Sequence, residues 1–210
     1  MLALGYRVVV VDDGSRDRTA AIAREKGAKV LIQRENRGKG FAIRRGFKFL
    51  KLKEDCRVIA LMDGDGQHDP KEIASFLSSI AETQADVVVG NRMHHPKDMP
   101  LLRRATNWFM SSLLSLIARQ PVPDSQCGFR ALTVDVVSKL DLKTRRFEVE
   151  SEMLLEAAHL GATIRSVPIG SIYRNEVSQI HPWKDTYRFL RFLITYLYRR
   201  CFGVDNLEKL

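Results

Sequence analysis

The chain has 210 residues, 45% of them hydrophobic and 28% charged, a composition that supports one α/β domain with a sizeable core and excludes a disordered chain. Its formal net charge of +9 favours an anionic partner: nucleic acid, anionic lipid or a phosphorylated ligand. Cys56, Cys127 and Cys201 are too scattered for a disulfide framework or a thiolate metal site, no apolar run is long enough to cross a bilayer, and Met1 to Arg7 lack the regions of a signal peptide, so a reducing, cytosolic setting is expected.

Tyr6 to Val11 (YRVVVV) predicts a short strand covered on both faces, because it is β-branched without alternation. The acidic turn Asp12-Asp13-Gly14-Ser15 follows. Asp17 to Lys26 predicts a helix stopped by Gly27, and Ala28 to Ile32 a second strand. Asn36 to Gly40 (NRGKG) reads as a loop and Phe41 to Leu50 as a helix. Arg57 to Met62 is a third strand, leading into Asp63-Gly64-Asp65-Gly66-Gln67. Pro70 opens a helix that runs to about Glu82, and Asp86 to Val89 is a fourth strand, followed by Gly90-Asn91-Arg92. Alternating strands and helices predict a mostly parallel sheet with helices on both faces. Ligands in such sheets bind beyond the carboxyl ends of the strands, and Asp12/Asp13, Asp63/Asp65 and Asn91/Arg92 all follow strand ends.

In the second half, Leu101 to Arg119 predicts a long helix, Pro121 to Arg130 a loop, Phe147 to His159 a helix, and Ala162 to Pro168 a strand that Ser171 to Arg174 extends. Asp185 to Arg200 is helical again. From Trp183 to Phe202 aromatics and arginines interleave, which fits a helix lying on a membrane surface and equally one packed on the domain. The expected division is residues 1–182 as the folded domain and 183–210 as the amphipathic helix.

Asp63 and Asp65 stand two apart at a strand end with glycines between them, so both carboxylates can aim at one point. Like charges that close repel unless a cation sits between them, and hard oxygen ligands suit Mg²⁺ or Mn²⁺. Gln67 or His68 would complete the shell; the alternative is a solvated turn. Asp12 and Asp13 fit either a helix cap or a contact to ribose or base. NRGKG is not a P-loop, and its expected role is a turn near the nucleotide that carries Lys39. Arg92, Arg103, Arg104, Arg130 and Arg174 are each a surface charge or a phosphate ligand; as a group they match a diphosphate and a second phosphate.

The ordered segments VVVVDDGSRDRT, NRGKG, LMDGDGQHDP, VVGNR, DSQCGFR and FEVESEML resemble family 2 glycosyltransferases of the dolichol-phosphate mannosyltransferase, or polyprenyl-phosphate sugar synthase, type. The likeness spans roughly residues 6 to 190. It implies a Rossmann-like GT-A fold and inverting transfer of a hexose from GDP-mannose or UDP-glucose to a polyprenyl phosphate. It also implies that Asp63, Asp65 and Gln67 hold the metal and the donor diphosphate, and that Asp12 and Asp13 contact the nucleoside. Arg92, Arg104, Arg130 and Arg174 become the phosphate ligands. Asp124, Gln126 and Gly128 shape an acceptor loop, and Asp65, Asp124 and Arg130 are the candidate catalytic residues. The chain departs from the resemblance at its start, where the family has a further strand ending in a Pro-x-Tyr-Asn-Glu type motif that lies inside the sheet and helps hold the base.

A lipid phosphate acceptor is anionic at neutral pH and needs no general base, whereas a hydroxyl acceptor needs a carboxylate such as Asp124, Glu150 or Glu152. The arginines favour the phosphate, and with it peripheral attachment to the cytoplasmic face of a membrane. The alternatives are transfer to a hydroxyl in glycan or glycolipid synthesis, and an inactive nucleotide-sugar-binding remnant. A nucleic-acid binder fits the charge, but acidic strand ends would repel phosphate.

Overall fold

In the computed structural model, residues 1–51, 56–94, 99–170 and 182–202 are described. The first strand, β1 (Val9–Asp12), pairs in parallel with β2 (Lys29–Ile32), Val9 opposite Lys29 and Asp12 opposite Ile32. Their crossover is α1 (Thr19–Glu25), after which Gly27 takes φ +88, a conformation that a Cβ disfavours. Next comes α2 (Lys39–Leu50), which packs on β1 and on the distant α6 (Glu148–His159).

A second sheet contains β3 (Val58–Leu61), β4 (Val87–Asn91), β5 (Arg130–Thr133) and β6 (Ile164–Pro168), in the order β3-β5-β4-β6. The fold is α/β as expected, and the β1–β2 and β4–β6 pairs are parallel. The centre of the second sheet differs, because β5 runs antiparallel to both its neighbours. Arg130, expected at the end of a loop, instead opens this strand. The reason lies in the preceding segment. Residues 119–129 carry the chain back to the carboxyl edge, where Arg130 pairs with Leu61 and Val89 and the Gly90 N–H donates to Phe129 O at 2.9 Å. A strand that starts at the carboxyl edge has to run back against β3 and β4. It leads into the short α5 (Val134–Lys139).

Val87, Val88 and Val89 are all buried, so β4 is covered on both faces, as a run of β-branched residues requires. Asp69 caps the turn at Pro70 by accepting from Lys71 N at 2.9 Å, and α3 (Ile73–Thr83) follows. Phe76 of α3 stacks on Phe129 with ring centroids 4.4 Å apart. The long α4 (Leu101–Ala118) packs against α6 and α7 (Pro182–Phe202). One face of α7 joins the core through Phe189, Phe192, Leu193 and Tyr196. Its other face exposes Tyr187, Ile194, Leu197, Tyr198 and Phe202, while α4 exposes Leu101, Leu102, Trp108, Phe109 and Leu116. The expected strand extension over Ser171 to Arg174 lies outside the described residues.

Among the described residues the two sheets share no ladder. Both β1 and β3 keep one edge without a strand partner, and a cavity of about 260 Å³ separates them, walled by Val9, Val11, Ile43, Phe47, Ile59 and Leu61. The seam is spanned by α2.

Candidate donor and cation site

Lys39, Asp63, Gly64, Gly128, Arg130 and Glu150 also line this cavity. Asp63 directly follows β3. Its Oδ1 receives Lys39 Nζ at 2.7 Å, and the same ammonium reaches Glu150 Oε1 at 2.5 Å. Burial opposes the lysine's charge, but Glu150 and Asp63 outweigh it and hold the pKa above the ordinary 10.5. Asp65 is exposed and its Oδ1 accepts from Gln67 N at 3.0 Å, which closes the turn. His68 is buried against Phe129 with ring centroids 5.2 Å apart, and burial lowers its pKa. Among the described residues no group of three or more His, Cys, Asp or Glu side chains is placed to hold a metal. Asp63 and Glu150 already hold a cation, the Lys39 ammonium, so the Asp63 carboxylate is placed to take a positive ion, and Asp65 stands two residues further on.

The loop before α2 explains how Lys39 is aimed. Asp13 accepts from Gln33 Nε2 at 2.6 Å and Arg37 N at 2.8 Å on Oδ1, and from Gly38 N at 2.8 Å on Oδ2. Gly38 and Gly40 press on the backbone carbonyls of Arg145 and Thr144, where a Cβ on either glycine would fall far inside van der Waals contact. The Gly40 N–H donates to Arg145 O at 2.9 Å. Glu152 fixes the opposing loop by accepting from Lys143 N and Thr144 N, each at 2.9 Å.

These bonds correct several expectations. Asp13 is a clamp on the NRGKG loop, which it holds through both its oxygens. Asp12 is buried and accepts from Ser15 N at 2.8 Å, which closes the turn after β1; α1 begins only at Thr19, so Asp12 is not its cap. Asp124 is fully buried and receives Arg92 Nε at 2.8 Å, a second Arg92 guanidinium nitrogen at 2.9 Å, and Asn107 Nδ2 at 2.8 Å. Burial alone would raise its pKa, but the Arg92 bonds outweigh that and hold it below the ordinary 3.8. Asp124 therefore cannot serve as a base, and Arg92 is its counter-ion and not an open phosphate ligand. Arg130 is 1% exposed and donates to the carbonyls of Cys127, Ser125 and Glu150. It forms part of the cavity wall, but its guanidinium is committed to these three carbonyls of the loop beneath the site. Arg104 points to solvent from the first turn of α4, and no described contact joins it to Asp63. Gln126 is half-buried, with Nε2 3.1 Å from Ser125 Oγ. Arg174 lies outside the described residues. Asp63, Asp65, Gln67, Lys39 and Glu150 remain at the carboxyl edge. Glu150 was weighed in the sequence only as a base. Its pairing with Lys39 went unseen there, although a lysine between two glycines was the available signal.

The fold is shared with GT-A glycosyltransferases. A crystal structure of glucosyl-3-phosphoglycerate synthase from Mycobacterium tuberculosis, in complex with Mn²⁺, UDP-glucose and phosphoglyceric acid, superposes with TM-score 0.65 at 19% identity, over 95% of this chain and 69% of that one. The chain belongs to glycosyl transferase family 2, whose profile matches residues 2–141. It is 33% identical to a UDP-N-acetylglucosamine–dolichyl-phosphate N-acetylglucosaminyltransferase of Methanococcus voltae, over 79% of this chain and 74% of the relative. It is 32% identical to a dolichyl-phosphate hexose transferase of Haloferax volcanii, over 85% and 76%. The protein is a glycosyltransferase.

Proposed function

We propose that the enzyme transfers a hexosyl group, with inversion, from a nucleoside-diphosphate sugar such as GDP-mannose or UDP-glucose to a polyprenyl or dolichyl phosphate. The observation that carries this reading is the fate of the three candidate bases. Asp124 is locked to Arg92 and Glu152 to the backbone of Lys143 and Thr144, while Glu150 is tied to Lys39. None of the three carboxylates weighed as a base for a hydroxyl acceptor is free, which favours an acceptor that needs no base. A phosphate acceptor brings its own anionic oxygen, which attacks the anomeric carbon as the bond to the diphosphate breaks and the nucleoside diphosphate leaves. The names of the relatives support the same acceptor class.

Asp63 and Asp65, with Gln67 beside them, would hold Mg²⁺ or Mn²⁺, which usually completes its shell from a ligand's phosphates and neutralises their charge. Lys39 stands at the same edge and offsets further charge. A lipid acceptor calls for attachment at a membrane surface, and the exposed faces of two helices support this. Helix α4 has no acidic side chain and α7 only Asp185, while Arg103, Arg104, Arg188, Arg191 and Arg199 flank the exposed apolar side chains of the two helices. Such a surface matches an anionic bilayer. Among the described residues no helix is long and apolar enough to cross one.

The test mixes the full chain with Mn²⁺, radiolabelled GDP-mannose or UDP-glucose, and vesicles carrying a polyprenyl phosphate. Label should move into the organic-extractable lipid, and the protein should sediment with anionic vesicles. Label moving only to hydroxyl acceptors refutes the acceptor class. Unchanged sedimentation of Leu116→Glu/Ile194→Glu refutes the membrane face.

A further inference from the structure

Asp63 has a close neighbour at each carboxylate oxygen, an ion pair on one and a backbone approach on the other. Oδ1 carries the Lys39 ammonium at 2.7 Å, and Oδ2 faces the Cα of Gly128 so closely that a Cβ there would collide with it. A divalent cation that takes Asp63 needs one of these oxygens. The Gly128 side is backbone of the loop that Arg130 fastens through Cys127 O and Ser125 O, so it does not yield easily. The Lys39 side is the end of a flexible chain with a second partner already in place, Glu150 Oε1 at 2.5 Å. Lysine is a compact charge whose donors rotate freely, so it can leave one carboxylate and keep the other.

We propose that Lys39 is a built-in counter-ion that occupies the Asp63 side of the cation site and moves aside to Glu150 when a divalent cation binds. Lys39 thereby sets the affinity for the bare cation and couples it to the donor. Without a donor, the cation has to displace an ammonium from Asp63. With a donor, the displaced ammonium lies beside a diphosphate and gains a new anionic partner, so cation and nucleotide bind more tightly together than apart. The glycines on either side of Lys39 have a matching purpose. They let the first turn of α2 press on the carbonyls of Arg145 and Thr144, which fixes the backbone while the side chain remains free to swing.

The proposal rests on Asp63 being a cation ligand, and titration of the full chain with Mn²⁺, followed by electron paramagnetic resonance or calorimetry, tests the two separately. Lys39→Met should bind Mn²⁺ alone more tightly than the unaltered chain, by roughly ten-fold for the loss of one ion-pair competitor. Its gain in Mn²⁺ affinity on adding UDP or GDP should shrink. Lys39→Arg keeps the charge and should show no such tightening. Because Lys39→Met leaves Glu150 unpaired, Lys39→Met/Glu150→Gln is compared with Glu150→Gln, and the same tightening is expected in that pair. Equal or weaker Mn²⁺ binding in both comparisons overturns the counter-ion role. If neither the unaltered chain nor any variant binds Mn²⁺, with or without nucleotide, the cation site itself is refuted and the counter-ion role with it.

Discussion

The Arg92–Asp124 pair is buried, and its removal has a calculable cost. Asp124 is fully buried and receives two guanidinium bonds from Arg92, its backbone N–H, and the amide of Asn107. Asp124→Asn preserves the shape and removes the carboxylate charge opposite the buried Arg92 guanidinium. Breaking such a pair from one side costs about 3–5 kcal/mol. At about 2–4 °C per kcal/mol for a chain of this size, the melting temperature should fall by roughly 6–20 °C. Thermal unfolding followed by circular dichroism measures it. Because the folded carboxyl has a depressed pKa, its contribution is fully present above the ordinary value of 3.8 and disappears as the pH falls through the lower folded value. The gap between Asp124→Asn and the unaltered chain should therefore narrow only in strong acid. Arg92→Met/Asp124→Leu removes both charges and should recover much of the loss. A melting temperature for Asp124→Asn within about 2 °C of the unaltered chain, less than ~1 kcal/mol, would refute the pair's structural role.

Gly40→Ala gains helix propensity yet sets a methyl against the Thr144 carbonyl, so it should destabilise by about 1–3 kcal/mol. Gly64→Ala meets nothing within 4 Å and should be nearly neutral; equal melting temperatures for the two would contradict the packing of α2 on the 143–146 loop. Cys127 is fully buried, and burial pushes its thiol up to about 12. A thiol reagent at pH 8 should therefore label Cys201 rapidly in the native chain and reach Cys127 only after denaturant is added, and rapid labelling of all three cysteines would be inconsistent with this.

The strands with β-branched runs were legible in the sequence because their signal is local. Val8 to Val11 and Val87 to Val89 announce strands with no knowledge of their neighbours, although only β4 is buried; the β1 valines, expected to be covered on both faces, are half-buried beside the cavity. By contrast, β5 was not legible: four residues opening on an arginine look like the end of a loop, and their antiparallel place depends on where residues 119–129 return. The same division holds for the site. Asp63 and Asp65 were recognisable from the strand and glycines around them. Which charges are open was not, because the partners are remote in sequence. Asp124 is 32 residues from Arg92, Asp13 is 25 from Gly38, and Lys39 is 111 from Glu150. An arginine bound to a phosphate and one bound to its own backbone, as Arg130 is, look alike in a string of letters. The three glutamates in the buried part of α6 show the same limit, since each is answered by a distant group: Glu150 by Lys39, Glu152 by the 143–144 backbone and Glu156 by Arg200.

The divided sheet behaves like two pages bound along one spine. The walls of the cavity belong to different pages, and the spine is α2, whose first residue is Lys39. Because the helix that walls the cavity also carries the ammonium, the room available to a ligand and the charge that greets it are set by one element.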